Sequence, residues 1–261
     1  MYLAYWNLKE KPFDNTPDRR FLYRSRNHED AWEKLLWAIT GGKPCAMLSG
    51  EYGCGKTVLM RAIAAQLEPS KFNVALINYP LFEGDGFLRD IIVQFGLRPT
   101  SEDRSGLFQE LSQKLMEVAR SGKRSLLIID EAQVVEEPQV FDDLRLLADL
   151  HPEAGALLSV VLVGQPELRE LVGRYPLLEQ HISVRCHLHR FDLRNTARYV
   201  SHRLSIAGGQ AGLFSEEALE LIHRHSGGIP RRINNVADLC LLEACRRQAQ
   251  RVDGEIVNYL H

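Results

Sequence analysis

Residues 50 to 57 read Gly-Glu-Tyr-Gly-Cys-Gly-Lys-Thr, a complete G-x-x-x-x-G-K-[ST] loop. Each residue type has a use in gripping polyphosphate. Glycines allow turns in which successive backbone N–H groups converge on phosphate oxygens. Lys56 brings a point charge to the β and γ phosphates, and Thr57 brings a hydroxyl to Mg²⁺. Gly50, Glu51, Tyr52, Gly53, Cys54, Gly55 and Val58 complete the expected nucleotide-binding set. About 75 residues downstream, Ser125-Leu-Leu-Ile-Ile ends in Asp130-Glu131. A carboxylate at a strand tip suits Mg²⁺, usually through water, which assigns Asp130 to the metal together with Thr57. Glu131, next in the chain, can take a proton from an attacking water as general base. Cys54 is either a packing choice or, beside a lysine and a helix N-terminus, a thiol of lowered pKa that bound nucleotide shields.

Such groups need elements to aim them. Residues 45–49 form a short apolar run fit for a buried strand, and 58–67 carry helical apolar spacing, so strand, loop and helix follow in the required order. Further strands are expected over 74–78, 125–129, 157–163 and 184–188. Helices are expected over 27–39, 87–95, 107–119 and 140–150. This alternation implies a parallel five-stranded sheet sandwiched by helices. After about residue 191 only helices are expected, over 195–206, from Ser215 as N-cap to Gly227, from Pro230 to about 248, and over 252–260. The expected division is an α/β domain over 1–190, with an extended, aromatic-anchored lead-in over 1–27, and an all-α lid over 191–261.

The 261 residues carry 32 Lys plus Arg against 34 Asp plus Glu, a formal charge of −2. That gives no global pull toward nucleic acid or anionic lipid, although net charge says nothing of local arrangement. The longest apolar stretch, near 156–163, is far too short to cross a membrane. The N-terminus has no signal-peptide pattern. Five cysteines without a C-x-x-C pair suit a reduced, cytoplasmic setting. The pairs His187/His189 and His223/His225 lack further ligands at metal spacing, so ordinary polar roles are expected for them.

Several strings together resemble AAA+ ATPases of the ExeA/GspA general-secretion family, with TniB/TnsC transposition ATPases as relatives. These are Lys11-Pro-Phe, Thr16-Pro-Asp, Phe21-Leu-Tyr with Ser25 and His28, Leu127-Ile-Ile-Asp-Glu-Ala-Gln133, Leu144-Arg-Leu-Leu, Val163-Gly-Gln-Pro-Glu-Leu, His202-Arg-Leu and Gly228-Ile-Pro-Arg-Arg-Ile-Asn. The resemblance implies that Gln165 holds the attacking water or γ phosphate, that Arg231 reports nucleotide state, and that Tyr23 and His28 flank the adenine. It implies Mg²⁺ with ATP or ADP, a nucleotide-dependent homo-oligomer, and remodelling of a protein partner in envelope secretion or pilus assembly, at most peripheral to the inner membrane. His181 stands where many relatives carry arginine, which leaves Arg185 and Arg174 as candidates for a finger acting in trans. Relatives continue into a membrane span and a cell-wall-binding part; here a stand-alone or truncated core is expected. The alternatives are a DNA-binding transposition regulator, using Arg61, Lys71, Arg120, Lys123 and Arg124, and a weakly hydrolysing interaction module.

Overall fold

The computed structural model describes residues 2–80, 85–150 and 156–260. It divides into two compact units. One comprises His28–Gly50 and Leu59–Leu188; the other comprises Met1–Asn27, Glu51–Val58 and His189–His261.

The first unit is built on five parallel strands: β1 Cys45–Gly50, β2 Phe72–Ile77, β3 Arg124–Ile129, β4 Leu158–Gly164 and β5 Ile182–Leu188. Their order is β2-β3-β4-β1-β5, so the expected sheet is present. β4 separates β1 from β3, with Ser49 beside Gly164 and Ile129 beside Leu162. Gly50, Ile129 and Gly164 therefore lie at the same, C-terminal end of the sheet.

Strand periodicity explains why the central strands read as continuous apolar runs. Met47, Leu127, Ile129, Val160 and Leu162 share one core with helices Gly86–Gln94, Arg104–Arg120 and Pro138–Ala148. The alternate residues Ala46, Leu48, Leu126, Ile128, Val161 and Val163 are also buried. Leu35 and Ile39 of helix Arg26–Thr40 and Leu59, Met60 and Ile63 of helix Lys56–Gln66 are buried outside that core. Two short helices, Glu167–Gly173 and Pro176–His181, follow β4. Their six or seven residues are too few to show a helical period, so neither was expected.

The second unit is helical, with Leu193–Ile206, Glu216–Ser226, Pro230–Arg246 and Gly254–Tyr259 around one apolar core. Ser215 caps its helix by accepting a hydrogen bond from the Ala218 N–H at 3.1 Å, and Gly227 ends it in the left-handed region. The lead-in, expected to go with the α/β domain, packs into this helical core. Tyr2, Trp6, Leu8 and Phe13 are buried there, and the Trp6 indole donates to the Leu241 carbonyl at 3.0 Å. Aromatic anchors that must bury both a ring and a polar tip account for this placement. Residues 51–58 also fall in this unit, so the expected boundary near 190 describes only one of its edges.

Candidate nucleotide-binding and hydrolysis residues

The phosphate loop follows β1 and opens helix Lys56–Gln66. Gly53 and Gly55 have φ of 84° and 93°, a region L side chains seldom enter. Lys56 is only 5 % exposed, and its ammonium donates to the Glu51 carbonyl at 3.1 Å across the loop. Thr57 and Val58 follow in the first helical turn, and Glu51 pairs with Arg190 at 3.0 Å.

Arg231, in the first turn of helix Pro230–Arg246, lies directly against this loop. Its backbone N–H donates to the Gly53 carbonyl at 3.2 Å, and its guanidinium donates to the Tyr52 hydroxyl at 2.6 Å while lying 5.0 Å from the centre of that ring. A Cβ on Gly53 would meet the Arg231 Cβ at 2.8 Å. The glycine thus serves both the turn and the close approach of the helix. The loop position of Tyr52 was legible in the sequence; its use as a platform for Arg231 was not, because nothing local marks a partner about 180 residues away.

Tyr23 donates to the Asn195 side chain at 2.9 Å and packs edge-on against Phe191. His28 is buried in helix Arg26–Thr40.

Cys54 corrects one expectation. Its thiol is 1 % exposed, and burial pushes its pKa up, against the opposing pull of Lys56. Desolvation outweighs the nearby charge, so a reactive thiolate is disfavoured. Cys186, in β5, is likewise buried, and its thiol is pushed up to about 11 by burial.

On the sheet side, Asp130 is 5 % exposed just beyond β3. Glu131 takes a left-handed backbone conformation, φ 54° and ψ 36°, uncommon for a residue with a side chain. Its N–H donates to the Asp130 carboxylate at 3.0 Å. The Glu131 Oε2 accepts from Gln133 Nε2 at 2.6 Å and is approached by Gln165 Nε2 at 3.5 Å. Gln133 Oε1 in turn accepts the Gln165 backbone N–H at 3.0 Å. The candidate base and the polar strand-tip residue thus belong to one network, brought together by their places after β3 and β4. Gln133 closes the string Leu127-Ile-Ile-Asp-Glu-Ala-Gln133, and its position two residues past the candidate base was the available signal for it.

Arg185 lies within β5, opposite Met47, and donates to the carbonyl and carboxylate of Glu179 at 3.1 and 3.2 Å. Arg174 follows the short helix Glu167–Gly173, and His181 faces Asp149 at 3.2 Å. Among the described residues, no group of His, Cys, Asp and Glu gathers as a metal centre, and no helix is long and apolar enough to cross a membrane.

The residues present suit a magnesium nucleotide. A Thr hydroxyl and a buried carboxylate are hard oxygen donors, and the positive φ at Gly53 and Gly55 belongs to a backbone that can turn its N–H groups inward.

Comparison with known proteins agrees with this chemistry. The chain is 37 % identical over 98 % of its length to General secretion pathway protein A of Aeromonas hydrophila, and spans 47 % of that relative's length. Among solved structures, Drosophila ORC bound to DNA has a TM-score of 0.74 at 20 % identity, covering 99 % of this chain and 65 % of that one. Aeropyrum pernix ORC2 in ADPNP–ADP complexes has a TM-score of 0.70 at 19 % identity, covering 96 % of this chain and 71 % of that one. These likenesses show the fold, the AAA+ P-loop NTPase fold. A family model described as an AAA domain matches residues 39–172, a span that runs from before the phosphate loop to beyond Gln165, and the chain belongs to that family.

Proposed function

We propose that the chain binds and hydrolyses ATP with Mg²⁺. The observation that carries the reading is the loop itself, with Gly53 and Gly55 at positive φ and a nearly buried Lys56 at the start of its helix. Lys56 and the loop N–H groups hold the phosphates, with Glu51 and Tyr52 shaping the turn. Thr57 and Asp130 hold Mg²⁺, which when bound neutralises phosphate charge. Water attacks the γ phosphorus, Glu131 accepts its proton, and the bond to the β-phosphate oxygen breaks to release ADP and phosphate. Gln165 orients the water or γ phosphate, Arg231 answers to the nucleotide, and Tyr23 and His28 flank the base.

The likeness to General secretion pathway protein A supports a role in secretion. We infer that this role works through nucleotide-dependent self-association and remodelling of a protein partner. In such an assembly Arg185, or Arg174, acts on a neighbouring protomer's nucleotide. Lys71, one of the basic residues considered for DNA, is paired with Glu68 at 2.8 Å, which lends the DNA reading no support.

Calorimetric nucleotide binding and phosphate release on two variants test the reading. Lys56→Ala should abolish tight ATP binding. Glu131→Gln should keep binding and lower turnover by at least about 10²-fold. Near-wild-type turnover in Glu131→Gln overturns the assignment of the base.

A further inference from the structure

We propose that Gln133 is the positioning residue for the Glu131 carboxylate, a clamp that fixes the general base against the tip of β4. The proposal rests on the hydrolytic reading above.

The direction of the Gln133 carboxamide is decided by its surroundings. One end faces the Gln165 backbone N–H, which can only donate, so that end must be the oxygen. The NH₂ is then obliged to face Glu131, where it makes the 2.6 Å bond to Oε2. Flipping the amide would set two donors against each other and leave the carboxylate beside an oxygen. The second amide, that of Gln165, approaches the same Oε2. Both donors thus converge on one carboxylate oxygen and leave Oε1 as the atom to receive a proton.

Two further observations show that the backbone accommodates this clamp. Glu131 holds a left-handed conformation that a residue with a Cβ adopts only at a cost, and the short turn Ala132–Val134 that follows brings Gln133 into place. Opposite it, β4 ends in Gly164. A Cβ there would lie 2.5 Å from Gln133 Oε1, so any larger residue would displace the carboxamide. The sequence therefore combines a strained base, a glutamine two residues on, and a glycine on the next strand to make room for it.

The test compares Gln133→Glu with Gln133→Met in steady-state ATP hydrolysis, with binding of a fluorescent ATP analogue measured on each. Gln133→Glu can still accept the Gln165 N–H but sets a second carboxylate against Glu131. Gln133→Met keeps the bulk and loses both bonds. If the clamp acts on the base, kcat falls about tenfold for Gln133→Met and about 10²-fold for Gln133→Glu, since small displacements of a reacting group carry such factors. KM and analogue affinity stay within about twofold, because ground-state binding is untouched. In a Glu131→Gln background neither change lowers the residual rate further. A Gln133→Glu protein that binds the analogue and turns over like wild type overturns the proposal, as does an equal loss from Gln133→Met with and without Glu131. If Glu131→Gln alone keeps wild-type turnover, the parent reading fails and the proposal with it; if Glu131→Gln loses turnover and Gln133→Glu keeps the wild-type rate, only the clamp fails.

Discussion

The two halves of the candidate machinery are held in different ways. Glu131 on the sheet unit sits in a network of side-chain amides and backbone N–H groups, each contact pinned to a strand tip. The phosphate loop, in the helical unit, meets Arg231 through a single backbone hydrogen bond and through a tyrosine ring that is 54 % exposed. A base must be fixed to within a fraction of an ångström. A group that answers to nucleotide needs a partner it can leave, and an exposed ring with one hydroxyl contact costs little to vacate.

The strongest way to break this comparison is to add one methyl group to each half. Gly53→Ala forces a side chain into positive φ and against the Arg231 Cβ 2.8 Å away, and should weaken ATP binding by about 10²-fold, since Ala where φ > 0 is strained and the lid contact is lost as well. Gly164→Ala, pressing on Gln133, should leave ATP affinity nearly intact and lower kcat. Isothermal titration and phosphate release separate the two; equal losses of affinity would erase the distinction.

Next in size is a pH effect confined to the sheet unit. Asp143 is 2 % exposed and its carboxyl is pushed up to about 6 by burial, against the pull of Arg104, which it pairs with; Asp142 and Asp85 add to the rise. An unfolded aspartate titrates near 4, about two units lower. The folded state therefore holds this proton more tightly. The associated stability is fully present below about pH 4 and is lost as pH rises through about 6, a swing of about 3 kcal/mol. Asp143→Asn should gain stability relative to wild type by that amount between pH 4 and 7 in denaturant unfolding. A flat difference across the range would show that Arg104 compensates the burial in full.

The smallest effect sharpens the other half. Tyr52→Phe removes the hydroxyl contact to Arg231 but keeps the ring; Tyr52→Ala removes both. If the ring is the platform, Phe should change ATP affinity by less than about threefold and Ala by about tenfold, in line with a neutral hydrogen bond and an exposed cation–π contact. Equal effects of the two would assign the contact to the hydroxyl alone.

Much of this was legible in the sequence because it is local. The glycines of the loop, the apolar run into Asp130-Glu131, the Ser215 cap and the proline opening helix Pro230–Arg246 each state their geometry within a few residues. The three central strands were legible because burial on both faces leaves unbroken apolar runs, and the edge strands β2 and β5 through shorter or alternating ones. What was not legible depends on distant partners. Nothing near Trp6 announces Leu241, and nothing near Tyr52 announces Arg231. The behaviour of Cys54 turned on burial, which overrode a charge argument that was sound for an exposed thiol.

The strand order has a consequence for how the chain is made. β1, which carries the phosphate loop at its end, has as its neighbours β4 and β5, with Cys45 opposite Val160 and Ile182. Both partners lie on the order of a hundred residues or more downstream, a separation that makes such pairings slow to form. During synthesis at about 5–20 residues per second, the phosphate loop leaves the ribosome many seconds before either flank of its strand exists. Until then β1 is an apolar segment with two unpaired edges, and ATP cannot act as a template for the sheet that presents it. On the proposed reading, nucleotide capture is in this sense a late event in the life of the chain.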